Sequence, residues 1–119
     1  MYQNQITGQF GEDKACSYLE KNNYKIIERN FRCRQGEIDI IAKDLSKNEL
    51  VFVEVKTRLN FNFGRPAKSV TAIKKKHLLC VANYYLFKNS IQNTFIRFDV
   101  IEVFVKKFQF MINHIKQIF

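Results

Sequence analysis

Two apolar, β-branched segments that flank one polar turn constrain the fold of this 119-residue chain more than any other feature. Residues 37–43 and 50–58 are rich in Ile and Val, which favour strands, whereas residues 44–49 between them are mostly polar. This pattern predicts two antiparallel strands joined as a hairpin. Because 46% of the residues are hydrophobic, the chain can bury a core, and its length suits one domain over residues 1–119.

The predicted hairpin collects four charged side chains on one face. If the turn is centred between residues 46 and 47, Asp39 lies opposite Glu54. Two opposed carboxylates repel unless something compensates, and Mg²⁺ takes carboxylate oxygens while keeping several waters. Lys56 would lie beside such a metal, where it could orient a water or stabilise charge on a phosphate. The alternative is an ordinary salt-bridged sheet surface in which Glu37 pairs with Lys56, which lies opposite it.

Sequence periodicity predicts the remaining elements. They are a helix over 6–22, strands over 24–32 and 95–105, a loop over 60–68, a helix over 69–88 capped by Ser69, and a short helix over 108–119. The order α-β-β-β-α-β-α indicates an α/β fold in which helices flank a mixed sheet. Glu12 lies at the edge of the inward stripe of the first helix. With Asp39 and Glu54 it would supply three carboxylates, a set that suits metal-assisted phosphodiester hydrolysis.

Positive charge is concentrated in one segment of the chain. The formal net charge is +9, and residues 55–98 hold nine basic and no acidic side chains. This distribution favours a polyanionic partner such as nucleic acid. A solvated, basic helix face is the alternative interpretation.

The sequence also excludes several classes of protein. No apolar run approaches the ~20 residues of a membrane span, and the N-terminal residues carry no export signal. The three cysteines, Cys16, Cys33 and Cys80, lack CxxC spacing, so we expect free thiols rather than a disulfide framework or a zinc site. We therefore expect a cytoplasmic protein with no membrane partner.

Two motifs resemble the signature of the PD-(D/E)XK nucleases. Gly36-Glu-Ile-Asp39 supplies the Asp and Val53-Glu-Val-Lys56 supplies the E-x-K, although Ile38 stands where the signature has Pro. Over nearly its whole length the chain resembles the YraN family of small bacterial predicted nucleases. The matching stretches, in order, are Gly8-x-x-Gly11-Glu12-x-x-Ala15, Arg29-Asn30-x-Arg32, Gly36-Glu-Ile-Asp-Ile-Ile-Ala42, Val51-Phe-Val-Glu-Val-Lys-Thr-Arg58, Phe63-Gly64, Val70-Thr-x-x-Lys74, Arg97-Phe-Asp-Val100 and His114-Ile115.

This resemblance implies a restriction-endonuclease-like fold, similar to that of archaeal Holliday-junction resolvases. It implies that Asp39, Glu54, Lys56 and Glu12 form the active site and that the three carboxylates hold Mg²⁺ or Mn²⁺. The expected activity is hydrolysis of phosphodiester bonds in structured or single-stranded DNA. The alternative is a non-catalytic nucleic-acid-binding module with the same fold. Resolvases act as dimers because two symmetric strands need cutting, so the resemblance is compatible with a homodimer.

Other charged residues are assigned by their position. The residues expected to contact nucleic acid are Arg58, Arg65, Lys74 and Lys75. Glu37 is expected to lie next to the metal ligands as a partner of Lys56.

The remaining polar residues are expected to be structural. Arg97 and Asp99 share a strand face and should form ion pairs with their neighbours. His77 and His114 have no partner at zinc-binding spacing.

Overall fold

The computed structural model describes residues 2–59 and 71–119, with side chains from Gly8 onwards. Within these ranges the chain forms two helices and five strands. The helices are α1 (Tyr2–Lys21) and α2 (Ala72–Lys88). The strands are β1 (Tyr24–Cys33), β2 (Gly36–Asp44), β3 (Glu49–Arg58), β4 (Ile96–Lys106) and β5 (Gln109–Ile115). Neither of these two helices is long and apolar enough to cross a membrane.

The described strands form one sheet in the order β1-β2-β3-β4-β5. Neighbouring strands are antiparallel except for β3 and β4, which are parallel. A parallel pair needs a crossover connection, and α2 lies between these two strands in the chain. The predicted α/β fold and its element order α-β-β-β-α-β are therefore confirmed.

The two helices cover opposite faces of the sheet, and the side chains of β3 point alternately to one and the other. Val51 and Val53 pack in a core cluster with α1, to which the helix contributes Ala15, Cys16 and Leu19. Phe52, between them, packs in a second cluster with α2, to which that helix contributes Val81, Ala82 and Tyr85. Strands covered on both faces read as continuous apolar runs, which explains the sequence of β3 before Glu54.

The β2–β3 hairpin has the predicted register. Its ladder extends from the turn as far as the pair Ile40 and Val53. Asp39 and Glu54 follow one position further from the turn, just past the end of this ladder. There the backbone N–H of Val55 donates to Asp39 Oδ2 at a distance of 2.8 Å. The carboxylate of Asp39 thus replaces a strand partner at the point where regular pairing of the hairpin stops.

The second helix begins later than predicted. Thr71 is its N-cap, with its hydroxyl accepting a hydrogen bond from the Lys74 backbone N–H at 3.1 Å. Ser69, the predicted cap, lies outside the described residues, as does the predicted loop over 60–68.

The C-terminal tail is a strand, so the prediction of a short helix over 108–119 is wrong. β5 pairs antiparallel with β4 after a turn in which Lys107 adopts a left-handed φ of 53°. The apolar residues at helical spacing do not share one face of this strand, since Met111 and Ile112 are adjacent and point to opposite faces. Phe110 meets Phe10 of α1, and Ile112 packs on the cluster beneath that helix. Pairing with β4 satisfies the backbone groups of the tail without a helix.

Close approach of α1 to β3 depends on a glycine. A Cβ on Gly11 would clash with the Thr57 hydroxyl, so this contact requires a residue without a side chain. Glu12 follows directly in α1. The contact therefore brings Glu12 to the end of β3 that carries Glu54 and Lys56.

Candidate active site

Asp39 and Glu54 line one cavity where the β2–β3 ladder ends. The cavity has a volume of about 240 Å³, and its wall also contains Lys74 and His77 of α2. The lining also has polar side chains from Gln35, Glu37 and Asp99 and apolar ones from Ile38, Phe52, Val53, Leu78, Val81, Phe98 and Ile118. The structure thus brings the two carboxylates of the predicted hairpin into one cavity with both charged and apolar walls.

The surroundings of Asp39 disfavour its charged form. The pKa of Asp39 is raised from 3.8 to about 6, chiefly by burial and also by the nearby carboxylates of Glu12 and Glu54. The hydrogen bond from Val55 only partly opposes this rise. Among the described residues, Asp39 forms no salt bridge. A cation beside Asp39 would relieve this electrostatic cost.

Glu54 differs because two lysines share one of its oxygens. Lys74 Nζ lies 2.7 Å from Glu54 Oε1, and Lys56 Nζ lies 3.4 Å from the same atom. Lys56 comes from the same strand face two residues later, whereas Lys74 reaches across from the first turn of α2. We call Asp39, Glu54, Lys56 and Lys74 the carboxylate site.

The pKa values of the two lysines in the carboxylate site are shifted in opposite directions. Burial lowers the pKa of Lys56, and the neighbouring ammonium of Lys74 lowers it further. The pKa of Lys74 is raised despite burial, because its hydrogen bond to Glu54 favours the charged form. Lys56 therefore loses its proton more readily than Lys74, which stays positively charged.

The two other carboxylates predicted near the site have different positions. Glu12 is close enough to raise the pKa of Asp39, and its Oε1 lies 3.8 Å from the Arg29 guanidinium. Glu37 does not pair with Lys56, so that prediction is wrong. It pairs with Arg32 of β1 at 3.1 Å, because the β2–β3 ladder has ended before Glu37 and its cross-strand neighbour is Arg32.

The basic residues predicted to contact nucleic acid lie in different surroundings and have different partners. Lys74 belongs to the carboxylate site. Arg58 pairs with Glu102 at 3.3 Å, so its guanidinium is already engaged by a neighbouring strand. Lys75 lies over the Phe119 ring, 5.0 Å from its centre. Arg65 lies outside the described residues.

His77 is a residue of the cavity that the sequence prediction missed. It was expected to be structural, but it is exposed and lines the same cavity as Asp39 and Glu54. The signal was its helical spacing, because residues three apart on a helix share a face and Lys74 precedes it by one turn. His114 is structural as predicted, with its ring hydrogen-bonded to Asp99 and Tyr18.

The carboxylate site has the donor chemistry of a hard divalent cation. Mg²⁺ is usually held by one or two carboxylates, with waters and substrate phosphates filling its other positions. Asp39 and Glu54 supply two such carboxylates, and burial raises the pKa of Asp39, so a cation there would favour its charged form. Residues 2–59 and 71–119 contain no cluster of three or more His, Cys, Asp or Glu side chains able to hold a metal together. The residues present therefore fit a cation bound by two carboxylates, with Glu12 at longer range.

A second charged cluster lies nearer the turn of the β2–β3 hairpin. Arg97 of β4 is buried and donates to both carboxylate oxygens of Asp99 at 2.9 Å. Its other partners are Asp44 at 3.0 Å, Glu49 at 2.8 Å and the Tyr24 hydroxyl at 2.7 Å. We call Arg97, Asp99, Asp44, Glu49, Tyr24 and His114 the Arg97 network. The prediction that Arg97 and Asp99 form ion pairs with neighbouring residues is confirmed.

Charge is balanced within the Arg97 network. Hydrogen bonds from His114 and Arg97 lower the pKa of Asp99 although burial opposes them. Asp99 also accepts from the Gln117 backbone N–H at 3.1 Å. Among the described side chains, no buried polar atom lacks a hydrogen-bond partner. This network therefore links the strands, since its members Tyr24, Asp44, Glu49, Arg97 and His114 come from all five described strands.

Comparison with known proteins places the chain in a family. The family model described as "Uncharacterised protein family UPF0102" matches residues 11–103. The chain belongs to the UPF0102 family. The matched range contains all four residues of the carboxylate site.

Members of the UPF0102 family resemble this chain over most of their length. A UPF0102 protein of Clostridioides difficile is 49% identical over 116 residues, which cover 98% of each chain. One from Caldicellulosiruptor saccharolyticus is 47% identical over 114 residues, covering 94% of this chain and 95% of the relative. One from Clostridium botulinum is 50% identical over 103 residues, covering 86% and 82%.

Proposed function

We propose that this UPF0102 protein is a metal-dependent endonuclease of the YraN type, which hydrolyses phosphodiester bonds in structured or single-stranded DNA. The observation that carries the proposal is the carboxylate site, where Asp39 and Glu54 share a cavity and burial with neighbouring carboxylates raises the pKa of Asp39. Buried carboxylates with raised pKa values are a common mark of functional sites. The order of Asp39, Glu54 and Lys56 along β2 and β3 matches the PD-(D/E)XK pattern.

Each residue of the site has a distinct role in this proposal. Asp39 and Glu54 would hold Mg²⁺ or Mn²⁺, with Glu12 completing the site directly or through water. When bound, the metal would lower the pKa of a coordinated water and polarise the phosphodiester. Lys56 positions the attacking water and stabilises charge that develops on the phosphate, since its ammonium is held beside Glu54.

The substrate is proposed to be nucleic acid because of where positive charge lies. The nine basic residues of segment 55–98 include Lys56 and Lys74, which lie at the carboxylate site, and Lys75 one position along α2. Phosphate contacts from Lys and Arg provide most sequence-independent affinity for DNA. We propose DNA as the partner of this protein. A second copy of the chain would be a further partner when two strands are cut.

A cleavage assay tests this function. The purified protein is incubated with Mg²⁺ or Mn²⁺ and with branched, flapped, single-stranded and duplex DNA, and with RNA. We expect metal-dependent cleavage of at least one structured or single-stranded DNA, and loss of that cleavage in Glu54→Gln. This variant keeps the shape of the side chain and removes one negative charge from the metal ligands.

The same assay distinguishes the alternative function. If the wild type binds DNA but cuts no substrate with either metal, the protein is a non-catalytic nucleic-acid-binding module. Cleavage that persists in Glu54→Gln would contradict the assignment of the carboxylate site as the active site.

We further propose a cytoplasmic location. All three cysteines are free thiols, and one of them, Cys80, is exposed. Exposed free thiols are typical of a reducing compartment.

A further inference from the structure

Lys74 has an unusual place in the carboxylate site. It comes from α2, yet its ammonium makes the shortest salt bridge with Glu54, at 2.7 Å against 3.4 Å for Lys56. Two ammonium groups contact one oxygen of Glu54, so two positive charges face the single negative charge of this carboxylate. Meanwhile Asp39, which lines the same cavity, has no salt bridge within the described ranges.

A divalent cation at Glu54 would change this arrangement. Two cations on the same carboxylate oxygen repel, so an ammonium group in the path of the incoming cation should leave Glu54. The two lysine side chains are about equally exposed, 39% for Lys56 and 38% for Lys74. The described lining of the cavity includes Lys74 together with Asp39 and Glu54, but not Lys56. Lys74 is thus the lysine that a cation in this cavity would displace, and its flexible four-carbon stem lets it turn away.

We propose that Lys74 is a tethered counter-ion, which occupies Glu54 in the metal-free site and is displaced by the incoming cation towards a substrate phosphate. The inference rests on the proposed function, because it assumes that Glu54 is a metal ligand. It makes Lys74 a positioning residue that couples metal binding to nucleic-acid binding. Before metal binds, the lysine neutralises Glu54, and afterwards the same charge is free for the phosphate backbone.

The first test is the affinity of the metal-free protein for Mn²⁺, measured by calorimetry without nucleic acid. Removing a competing charge with Lys74→Met should make Mn²⁺ binding about two- to fivefold tighter, the upper part of the range expected for a partly exposed ion pair. Lys74→Arg keeps the charge and should stay closer to the wild type. The Thr71 cap contacts the Lys74 backbone, so these variants should keep the helix start.

A matched control comes from the same helix turn. Lys76 is exposed and belongs to the same lysine run. Lys76→Met makes the same chemical change without touching Glu54. At about 0.15 M salt, exposed charges beyond ~8 Å are largely screened, so its Mn²⁺ affinity should stay within about twofold of the wild type.

The second test measures the coupling to nucleic acid. Binding of a forked DNA is compared in Ca²⁺, used in place of the catalytic metal, and in EDTA. Lys74→Met should lose several-fold more affinity in Ca²⁺ than in EDTA, because only the metal-loaded site frees Lys74 for phosphate. In Ca²⁺ its salt slope should fall by about 0.9, the contribution of one phosphate contact.

The outcomes separate this inference from the proposed function. If the wild type binds Mn²⁺ and Lys74→Met binds it equally or more weakly, the counter-ion role is overturned while the metal site stands. An equal loss of DNA affinity in Ca²⁺ and EDTA, or no DNA binding at all, overturns the coupling. If the wild type binds no Mn²⁺, both the proposed metal site and this inference fail.

Discussion

Two groups of carboxylates lie at different positions along the same strands, and they differ in how their charge is compensated. Asp99 of the Arg97 network is fully buried, yet Arg97 and His114 hold its pKa below the usual range. Asp39 of the carboxylate site is only half-buried, yet its pKa is raised to about 6. Burial alone therefore does not distinguish them. The number and placement of positive partners does, and it separates a structural cluster from one suited to bind a cation.

The largest expected effect is a loss of stability when the Arg97 network is broken. Arg97→Met would leave Asp99 and Asp44 buried without their main partner, which typically costs about 3–5 kcal/mol of stability. Urea unfolding measures this loss. Arg32→Met removes an arginine from an exposed pair with Glu37 and should cost less than about 1 kcal/mol. Equal losses in the two variants would show that the Arg97 network is not the structural centre we infer.

The next effect concerns activity rather than stability. Lys56→Met removes the ammonium aimed at the reacting phosphate but leaves Asp39 and Glu54 in place. The single-turnover cleavage rate should fall by roughly 10²–10³, equivalent to about 3–4 kcal/mol in the barrier, while the unfolding midpoint changes little. Lys25→Met, an exposed change on β1, should leave both unchanged. Wild-type cleavage by Lys56→Met would contradict the role given to this lysine.

A smaller effect links α1 to the carboxylate site. Gly11→Ala would force α1 away from Thr57, at a cost of about 1–3 kcal/mol for overpacking, and would carry Glu12 away from Asp39. The urea concentration at the unfolding midpoint and the cleavage rate should both fall. The double variant Gly11→Ala/Thr57→Ala relieves the clash and should recover most of the stability. If Thr57→Ala gives no recovery, the close contact is not the reason for the glycine.

The smallest effect has the opposite sign to the first. Asp39→Asn keeps an oxygen that can accept the Val55 N–H but removes the poorly compensated charge. Because the folded-state pKa lies above the unfolded value of 3.8, Asp39 destabilises the fold progressively as pH rises from about 4 to 6. The variant should therefore be more stable than the wild type by about 1–2 kcal/mol at pH 8, after allowance for solvent screening.

The pH dependence makes this prediction specific. The stability difference between Asp39→Asn and the wild type should shrink as pH falls below about 6 and nearly vanish near pH 4. Asp99→Asn, with a lowered native pKa, should instead be destabilised at pH 8. Destabilisation by both substitutions at pH 8 would remove the contrast between the two clusters.

Local pattern was sufficient to predict the hairpin and its register. A turn centred between residues 46 and 47 sets the alignment of the two apolar runs, and the structure has that alignment. The place where pairing stops was not visible in the sequence. Glu37 was therefore assigned to Lys56, although its neighbour is Arg32 on the other side of β2.

The remaining errors arise from tertiary contacts that no local pattern encodes. The apolar spacing of the tail favours a helix, but pairing with β4 makes the tail a strand. Ion pairing of Arg97 and Asp99 with neighbours was predicted correctly, but the partners Asp44 and Tyr24 of Arg97 are distant in sequence and were not identified. The contact of Lys74 with Glu54 likewise depends on how α2 crosses the sheet.

Thermal unfolding with and without Mn²⁺, at pH 7.5 and without nucleic acid, tests most directly whether Asp39 and Glu54 hold a divalent cation. A ligand that binds only the folded state at 100 times its Kd stabilises that state by about 2.7 kcal/mol. We predict that Mn²⁺ raises the unfolding temperature of the wild type and of Glu20→Gln, an exposed carboxylate change on α1, but not of Asp39→Asn. An equal rise in all three proteins, or no rise in the wild type at millimolar Mn²⁺, would contradict the metal site.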